Sequence, residues 1–332
     1  MKKLQRIAVV GAGAWGTALA LVASRAGRQA ILWAREREVV DSILKRRENA
    51  LFLPGIALDP PFAVTDEFHA ALEEVDAAIL AVPAQFLRAL LGEIARYVPP
   101  GATLVLAAKG IERETGALLS EAIAAALPLH PLAVLSGPTF AAEVAKGLPT
   151  AVTVAARKRG VAAAVAEALG ARGFRPYASD DPVGVEIGGA VKNVIAIACG
   201  IVMGRGLGEN ARAALLTRGL AEMTRLGLAK GAKAETFMGL SGLGDLALTC
   251  GSPQSRNMSL GVAIGEGKSL GEILAARRSI AEGVTTAPAV LALAKKLGVE
   301  MPISSAVDAV LHRGADIDAT IESLLRRPLK AE

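Results

Sequence analysis

A glycine-rich segment near the start of the chain constrains the fold more than any other feature. Residues 6–10 form an apolar run suited to a buried strand, and Gly11, Gly13 and Gly16 follow it as GxGxxG, before an alanine-rich segment suited to a helix. In this order the glycines predict a dinucleotide site, because they permit a tight turn, backbone approach to a pyrophosphate and close packing of the helix on the strand. The helix N-terminus then faces the anion. The alternative is that the glycines only make a turn.

The end of the second predicted strand bears on which dinucleotide binds. Residues 29–33 have the apolar character of a strand, and Arg35 and Glu36 follow. An acid about 20 residues past the fingerprint binds the ribose 2′-hydroxyl of NAD, whereas an arginine accommodates the 2′-phosphate of NADP. Because Arg35 comes first, we expect NADP(H) to be accepted. Glu36 competes for the acidic role, so NAD(H) remains a second cofactor to test.

The first half of the chain alternates between short apolar runs and helical patterns. Further strands are predicted at residues 76–82, 103–107, 132–135, 150–155 and 174–178. Such alternation favours a parallel, doubly wound sheet. The sequence therefore predicts an α/β Rossmann-type dinucleotide-binding domain over residues 1–184.

Three polar positions fall where predicted strands end. In open α/β sheets, ligands bind beyond the carboxyl ends of the strands. Lys109 follows one strand, and Gly137 and Thr139 follow the next. We expect this edge to meet an anionic substrate or the cofactor. Taken alone, Lys109 would more often be a solvated loop lysine.

The second half, residues 185–332, shows helical spacing of apolar residues and is predicted to be an all-helical substrate and catalytic domain. Lys192 is the only charge between Glu186 and Arg205. Burial lowers a lysine's pKa and makes its amine usable for proton transfer, so Lys192 is the first catalytic candidate. The alternative is a lysine that extends its amine to water. We expect Lys192 to lie where the two domains meet, because pockets form at such junctions.

A second polar group follows in the helical half. Asp245 and Thr249 are four residues apart, which places them on one helical face, and a carboxylate there could orient Lys192. Ser255, Arg256 and Asn257 follow a turn and together suit a phosphate, which arginine binds through two charge-assisted hydrogen bonds. The alternatives are a helix cap for Asp245 and a surface ion pair for Arg256.

Composition narrows the class of protein. The net charge is +5, but the basic residues form short clusters and only 3% of residues are aromatic, so we expect no nucleic-acid partner. Two cysteines cannot form a disulfide framework, and three scattered histidines give no metal site. The longest uncharged stretch, residues 122–142, is interrupted by prolines. We therefore expect a cytoplasmic protein without a metal and without membrane insertion.

Several segments taken together resemble the bacterial NAD(P)-dependent glycerol-3-phosphate dehydrogenases. The matching segments are GAGAWGTALA from Gly11, AVP at Ala81, KGI at Lys109, LSGPTFAAEVAKGLPTAV from Leu135, GVEIGGAVKNVIAIACGI from Gly184, NARAALLTRGLAEMTRLG from Asn210, ETFMGLSGLGDLALTC from Glu235 and SRN at Ser255. They occur in the family's order over most of the chain. The resemblance implies an oxidoreductase that interconverts dihydroxyacetone phosphate and sn-glycerol 3-phosphate, with NADP(H) or NAD(H), for phospholipid synthesis in the cytoplasm.

The resemblance also implies roles for individual residues. The lysine matching Lys192 is the family's proton acceptor, and the aspartate matching Asp245 lies beside it. In the family, the positions matching Lys109, Gly137, Ser255, Arg256 and Asn257 contact the substrate, and those matching Trp15, Arg35, Lys109, Ala141, Arg256 and Glu282 belong to the cofactor site. Thr139 keeps the hydroxyl that the family often has at its position, and we expect it to contact the substrate. The glycine fingerprint itself adds Gly11, Gly13, Ala14 and Gly16 as expected cofactor contacts, and the mechanistic hypothesis adds Asn193 and Thr249, which could orient substrate hydroxyls. At Ala14 many members have serine, so the chain lacks one hydroxyl near the phosphates.

The mechanistic hypothesis is hydride transfer between the nicotinamide and the substrate, with Lys192 as proton donor or acceptor and Asp245 holding its ammonium. Two alternatives remain at this stage. One is a related two-domain reductase acting on a hydroxy acid, whose carboxylate would also need lysine and arginine anchors. The other is a dinucleotide-sensing protein without catalysis. The sequence does not give the oligomeric state, for which we consider a homodimer.

Overall fold

The computed structural model describes residues 3–276 and 281–328 of the chain. The strands are β1 (Arg6–Val10), β2 (Gln29–Trp33), β3 (Ala63–Thr65), β4 (Ala77–Leu80), β5 (Thr103–Leu106), β6 (Leu132–Ser136), β7 (Thr150–Ala155) and β8 (Phe174–Ser179). The helices are α1 (Ala14–Arg25), α2 (Arg37–Arg46), α3 (Phe68–Leu72), α4 (Leu87–Ile94), α5 (Leu119–Ala126), α6 (Ala141–Ala145), α7 (Arg159–Leu169), α8 (Pro182–Gly204), α9 (Gly208–Ala229), α10 (Ala234–Phe237), α11 (Asp245–Gly251), α12 (Arg256–Gly265), α13 (Leu270–Ala275), α14 (Glu282–Leu297), α15 (Pro302–His312) and α16 (Ile317–Leu325).

The chain forms two compact units. The first comprises Met1–Lys109 and Leu118–Glu186, and the second comprises Gly110–Ala117 and Ile187–Glu332. All eight strands belong to the first unit, and the described part of the second is built from helices α9 to α16 and most of α8. The α/β fold followed by helices that the sequence predicts is therefore confirmed. The excursion of Gly110–Ala117 into the second unit has no counterpart in the sequence analysis.

The first unit is an eight-stranded sheet in the order β3-β2-β1-β4-β5-β6-β7-β8. Its central strand β1 pairs in parallel with β2 and β4, so that Val10 lies opposite Trp33 and Leu80. This is the doubly wound arrangement, in which the strand order reverses beside β1. Buried side chains on both faces of the sheet pack against helices, which explains why these strands are continuous apolar runs.

Two details of the sheet differ from the sequence prediction. Strand β7 is antiparallel to β6, so the predicted parallel sheet is confirmed except at this one pair of strands. The connection, residues 137–149, contains only the short helix α6 and starts β7 at the edge where β6 ends, whereas a parallel pair needs a crossover back along the sheet. Strand β3 was missed because it is only three residues long and only partly buried.

The glycine loop brings α1 directly onto the end of β1. A Cβ on Gly16 would lie 1.8 Å from the carbonyl oxygen of Gly11, and Gly11 itself has φ of +113°. The loop is supported from behind by the buried amide of Asn49, which donates to the Ala12 carbonyl at 2.8 Å and to the Thr17 hydroxyl at 2.8 Å. These contacts hold the turn in the shape that its glycines permit.

Helix α8 is the long apolar helix of the second unit. By length and composition it could cross a membrane, but 89% of its most apolar window is buried inside the fold, as expected for a core helix. Its C-terminal half lies against α12 at a very short distance. A Cβ on Gly200 would lie 2.1 Å from the Met258 carbonyl oxygen, and one on Gly261 would lie 2.1 Å from the Ile197 carbonyl oxygen. Small residues at this crossing therefore bring the N-terminal turn of α12 close to the middle of α8.

We predict that Gly261→Ala destabilises the protein by about 2–3 kcal/mol, because the added methyl group meets backbone that cannot rotate away. The matched control is Gly271→Ala in α13, where a Cβ would meet nothing within 4 Å. That control should be neutral or gain up to about 1 kcal/mol from helix propensity. Denaturant-induced unfolding of both variants measures the difference, and equal stabilities would contradict the close crossing.

Candidate active site

The centre of the second unit is a buried lysine paired with a buried aspartate. Lys192, in the middle of α8, donates hydrogen bonds to the carboxylate of Asp245 and, at 3.0 Å, to the hydroxyl of Thr249. The side chain of Lys192 is 7% exposed and that of Asp245 is 1% exposed. The amine therefore does not extend to bulk water. The carboxylate compensates its charge, as the sequence analysis anticipated for Asp245.

Local backbone geometry explains how Asp245 reaches the lysine. A π-helical turn, Leu240–Gly244, precedes α11, and Asp245 is the first residue of that helix. The turn packs closely against α8, where a Cβ on Gly188 would lie 2.3 Å from the Ser241 carbonyl oxygen. Gly188 is one helical turn before Lys192, so it provides the space that lets the aspartate approach. Single π-helical turns of this kind occur frequently at functional sites.

Thr249 orients the lysine. Its hydroxyl donates to the carbonyl oxygen of Asp245 at 2.6 Å, one turn earlier in α11. The single hydroxyl proton is committed to this bond, so the oxygen presents a lone pair to the Lys192 amine. Two acceptors from one helix thus fix the direction of the amine. The mechanistic hypothesis from the sequence has Thr249 orient a substrate hydroxyl, and that role remains a prediction.

A group suited to an anion lies at the N-terminus of α12. Ser255 caps this helix and its hydroxyl oxygen accepts from the Met258 backbone N–H at 3.2 Å, which leaves the hydroxyl proton available to donate. Arg256 is the first helical residue and is exposed. Asn257, which follows, is buried. A helix N-terminus, a hydroxyl donor and a guanidinium together favour a phosphate.

The two asparagines near the lysine are hydrogen-bonded to each other. The side-chain amide nitrogen of Asn257 donates to the side-chain oxygen of Asn193 at 3.0 Å. The side-chain oxygen of Asn257 accepts from the backbone N–H of Gly283 at 2.9 Å. Gly283 follows Glu282, the first residue of α14 and a predicted cofactor contact. The predicted substrate residues Asn193 and Asn257 are therefore brought together in the second unit.

The glycine loop of the first unit has the features that a dinucleotide needs. Gly13 is the N-cap of α1 and supplies no capping side chain, and a Cβ on it would meet nothing within 4 Å. The first turn of α1, which contains Ala14 and Trp15, thus starts without a side-chain cap. The buried indole nitrogen of Trp15 has no hydrogen-bond partner in the described part of the chain. Open space, uncapped helix N–H groups and an unpartnered donor all fit a bound diphosphate and its nucleoside.

The predicted residues at the strand ends also lie together in the first unit. Lys109 follows β5, and its amine donates to the Gly137 carbonyl at 3.2 Å. Thr139 donates its hydroxyl to the same carbonyl at 3.1 Å. Ala141, another predicted cofactor contact, begins α6 immediately afterwards. Gly137 has φ of +153°, and a Cβ on it would lie 2.9 Å from the Cα of Val152, so only glycine fits this turn.

Arg35 and Glu36 both lie on the surface just after β2. Both side chains are exposed. Glu36 is the N-cap residue of α2, but its side chain makes no capping hydrogen bond. The next arginine, Arg37, is paired with Asp66 at 3.0 Å, and this partner raises the pKa of Arg37. Arg35 forms no ion pair within the described residues, which leaves its guanidinium available for a 2′-phosphate.

Glu186 is a buried titratable group that its sequence context does not reveal. Glu186 lies one and a half turns before Lys192 on α8, and one of its carboxylate oxygens accepts from the Ser120 backbone N–H at 3.0 Å. Its other oxygen is buried without a partner among the described residues. Burial raises the pKa of Glu186 to about 7, while the bonds from Ser120 act in the opposite direction. A single glutamate at the start of an apolar run gave no signal that it would be buried.

No group of three or more histidine, cysteine, aspartate or glutamate side chains suited to a metal ion occurs within residues 3–276 and 281–328. The two cysteines, Cys199 and Cys250, are free and buried. A hydrogen bond with Cys199, together with burial, raises the pKa of the Cys250 thiol well above its usual value. Thiolate chemistry at neutral pH is therefore disfavoured at this position.

Comparisons with known proteins agree over nearly the whole chain. Residues 6–162 match the family described as NAD-dependent glycerol-3-phosphate dehydrogenase N-terminus, and residues 181–322 match the corresponding C-terminus. The chain is 56% identical over 328 residues to glycerol-3-phosphate dehydrogenase (NAD(P)+) of Parvibaculum lavamentivorans, covering 99% of this chain and 98% of the relative. It is 57% identical over 329 residues to the enzyme of the same name from Rhodospirillum rubrum, covering 99% and 94%. A crystal structure of glycerol-3-phosphate dehydrogenase from Coxiella burnetii superposes with a TM-score of 0.93 at 40% identity, covering 98% of this chain and 99% of that one.

We predict that Glu186→Gln stabilises the protein above neutral pH and has little effect at acid pH. The pKa of Glu186 is raised to about 7 from 4.5, so its contribution to stability is complete below about pH 4.5 and is lost as pH rises to about 7. The full difference corresponds to about 3 kcal/mol. Unfolding midpoints of wild type and variant between pH 5 and pH 8 measure it. A gap that does not widen with pH would contradict the burial of this carboxyl.

Proposed function

Because the chain belongs to the NAD-dependent glycerol-3-phosphate dehydrogenase family, we propose that Lys192 exchanges a proton with the C2 oxygen of its substrate. The chain is an NAD(P)-dependent oxidoreductase that interconverts dihydroxyacetone phosphate and sn-glycerol 3-phosphate. The observation that supports the proposal is the buried amine held by Asp245 and Thr249. A charged amine in a site of low polarity can donate its proton to a developing alkoxide more effectively than water can.

When bound, the nicotinamide cofactor would supply a hydride to C2 of the ketone, or would accept it in the reverse direction. In the reducing direction the Lys192 ammonium donates a hydrogen bond and then its proton to the carbonyl oxygen, which becomes the hydroxyl. In the oxidising direction the neutral amine takes that proton back. Asp245 keeps the ammonium in place and stabilises its charge, so the amine stays protonated until the oxygen requires the proton.

We propose that the phosphate of the substrate binds at the N-terminus of α12. Ser255 and Arg256 would contribute donors and Asn257 would contribute its remaining amide proton. Binding energy from the phosphate, which does not react, is then used to fix C2 in position. This assignment rests on the donors at the start of the helix.

We propose further that residues 1–184 form the cofactor domain and residues 185–332 the substrate and catalytic domain. Within the cofactor domain, Gly11, Gly13 and Gly16 would receive the diphosphate. The proposed setting is the cytoplasm, where the product supplies phospholipid synthesis, and the proposed assembly is a homodimer.

The two alternatives from the sequence are less well supported. A hydroxy-acid reductase would need a carboxylate anchor, whereas the α12 N-terminus offers donors suited to a phosphate and the chain's family acts on a phosphorylated substrate. A dinucleotide sensor without catalysis would have no use for a buried pair such as Lys192 and Asp245, which is costly to desolvate. Turnover of dihydroxyacetone phosphate, compared with 2-keto acids, separates these functions.

We predict that Lys192→Met lowers kcat by about 10²–10⁴-fold, which is the usual contribution of a general acid. Cofactor affinity, measured by NAD(P)H fluorescence, should change little because the lysine lies outside the dinucleotide loop. The control is Lys268→Met, which removes an exposed lysine paired with Glu266 on the surface and should leave kcat unchanged. A Lys192→Met enzyme with nearly normal kcat would refute the proposed role.

We predict that Arg35→Ala lowers kcat/KM for NADPH by about 10- to 100-fold, as expected for the loss of a hydrogen-bonded charge, and leaves kcat/KM for NADH nearly unchanged. The neighbouring variant Arg37→Ala is the control, because its guanidinium is already engaged by Asp66. Initial rates of wild type, Arg35→Ala and Arg37→Ala with each cofactor give the ratio of kcat/KM for NADPH to kcat/KM for NADH. An unchanged NADPH to NADH ratio in Arg35→Ala would remove the assignment.

A further inference from the structure

A short chain of hydrogen bonds in the second unit runs from a backbone amide to the residue next to the catalytic lysine. The Gly283 N–H donates to the Asn257 side-chain oxygen at 2.9 Å, and the Asn257 side-chain nitrogen donates to the Asn193 side-chain oxygen at 3.0 Å. Asn193 and Asn257 are buried, with 4% and 7% of their surface exposed. Three helices, α14, α12 and α8, are therefore connected by this chain.

The direction of these hydrogen bonds follows from the chemistry of the first donor. A backbone N–H can only donate, so the Asn257 amide must turn its oxygen towards Gly283. Its NH₂ group then faces Asn193, which must turn its own oxygen towards Asn257. The Asn193 nitrogen is left with two N–H groups and has no hydrogen-bond partner among residues 3–276 and 281–328. Asn193 can thus present donors, and no acceptor, to a ligand.

The chain of hydrogen bonds also requires a residue without a side chain at its start. A Cβ on Gly283 would lie 2.6 Å from the Asn193 backbone oxygen, 2.8 Å from the Asn257 side-chain oxygen and 2.8 Å from a methyl group of Ile197. Any side chain there would push the first turn of α14 away from α8. The Gly283 N–H would then lose its short contact with Asn257.

We propose that Gly283 is a positioning residue, which acts through Asn257 to hold Asn193 as a dedicated hydrogen-bond donor to the C2 oxygen of the substrate. This inference rests on the proposed role of Lys192, its neighbour in sequence. During reduction the C2 oxygen gains negative charge before Lys192 protonates it, and a preorganised N–H donor stabilises that charge without reorganising. Asn193 donates only a hydrogen bond and keeps its protons throughout. The proton that converts the C2 oxygen into a hydroxyl comes from Lys192.

The amide direction gives the site a means of discrimination. An Asn193 whose orientation was not fixed could present its carbonyl oxygen, which would repel the electron-rich C2 oxygen. With the Gly283 N–H in place, that orientation would turn the Asn193 NH₂ group towards the Asn257 NH₂ group and leave two donors facing each other within the buried chain, which is strongly disfavoured. Asn257 thus has two tasks, because one amide proton is committed to Asn193 and only the other is available for the phosphate.

The first test is a double-mutant cycle of Asn193→Ala and Asn257→Ala. Removing a donor of this type typically lowers kcat by about 10²–10³-fold, and we expect that range for Asn193→Ala. Asn257→Ala should lower kcat by about tenfold and also raise KM for dihydroxyacetone phosphate, because it removes the amide that fixes Asn193. In the double variant, kcat should equal that of Asn193→Ala alone. Effects on kcat that multiply would overturn the proposal, because they would show that the residues act independently.

The second test is Gly283→Ala, with Gly271→Ala as its control for added helix propensity. Gly283→Ala should lower kcat by about tenfold, and the same substitution in the Asn193→Ala background should have no further effect on kcat. Thermal unfolding midpoints show whether the variant is folded under the assay conditions. Partial unfolding would lower the concentration of active enzyme, so kcat is compared per folded enzyme. Normal kcat in folded Gly283→Ala would overturn the proposal. If that variant does not fold, the asparagine cycle decides.

Failure of the proposed role of Gly283 can be distinguished from failure of the proposed role of Lys192 in proton transfer. Lys192→Met measured under the same conditions reports the lysine's role without involving Gly283. A large loss with Lys192→Met, combined with multiplicative effects in the asparagine cycle, would refute only the role of Gly283 and Asn257. Normal kcat in Lys192→Met would refute the proton-transfer assignment on which the inference depends.

Discussion

The interaction on which the second unit depends is the pairing of the buried Lys192 ammonium group with its acceptors on α11. Removing a lysine from solvent costs several kcal/mol, and a partner recovers this only when the geometry is good and the remaining donors are satisfied. Lys192 meets that condition because Asp245 and Thr249 both lie on α11 and both accept from its amine. The π-helical turn before α11 packs closely against Gly188 of α8. This close packing lets the Asp245 carboxylate approach the Lys192 amine.

The distribution of donors around this pair suits a substrate with a polarised oxygen at one end and an anion at the other. The amine is held by acceptors, whereas Asn193 and the start of α12 present donors. Donors of this kind are suited to a phosphate and to an oxygen that gains negative charge, and electrostatic interactions are stronger where water is excluded. In the first unit, α1 begins at the glycine loop without a side-chain cap, and N–H groups at such a helix end attract anions.

Much of this arrangement is visible in the sequence because it depends on local patterns. Three features can each be recognised within one continuous stretch of sequence: the glycine fingerprint, the alternation of strands and helices, and the single charge of Lys192 in an apolar run. The spacing of Asp245 and Thr249 is visible for the same reason, since it lies within one helix. Ser255, Arg256 and Asn257 are visible in the same way, because they follow one another after a turn, and their functional roles remain predictions.

The parts that sequence reasoning missed depend on contacts between distant segments. Gly283 and Gly188 look like ordinary helix glycines, and only the positions of Asn193 and Ser241 show what each must accommodate. The antiparallel direction of β7 follows from the short connection between β6 and β7. The raised pKa of Glu186 follows from its burial. Close approach and desolvation are properties of the assembled unit, and no single stretch of sequence encodes them.

Chemical rescue of a Lys192→Ala enzyme by small primary amines tests most directly whether the buried amine moves the proton. If Lys192 is the proton donor and acceptor, methylamine and ethylamine should restore turnover of dihydroxyacetone phosphate, with rates that depend on the basicity of the amine as Brønsted behaviour requires. Rescue should saturate, since the amine binds where the side chain was. Turnover that does not respond to any primary amine, in an enzyme that still binds NAD(P)H, would contradict the account.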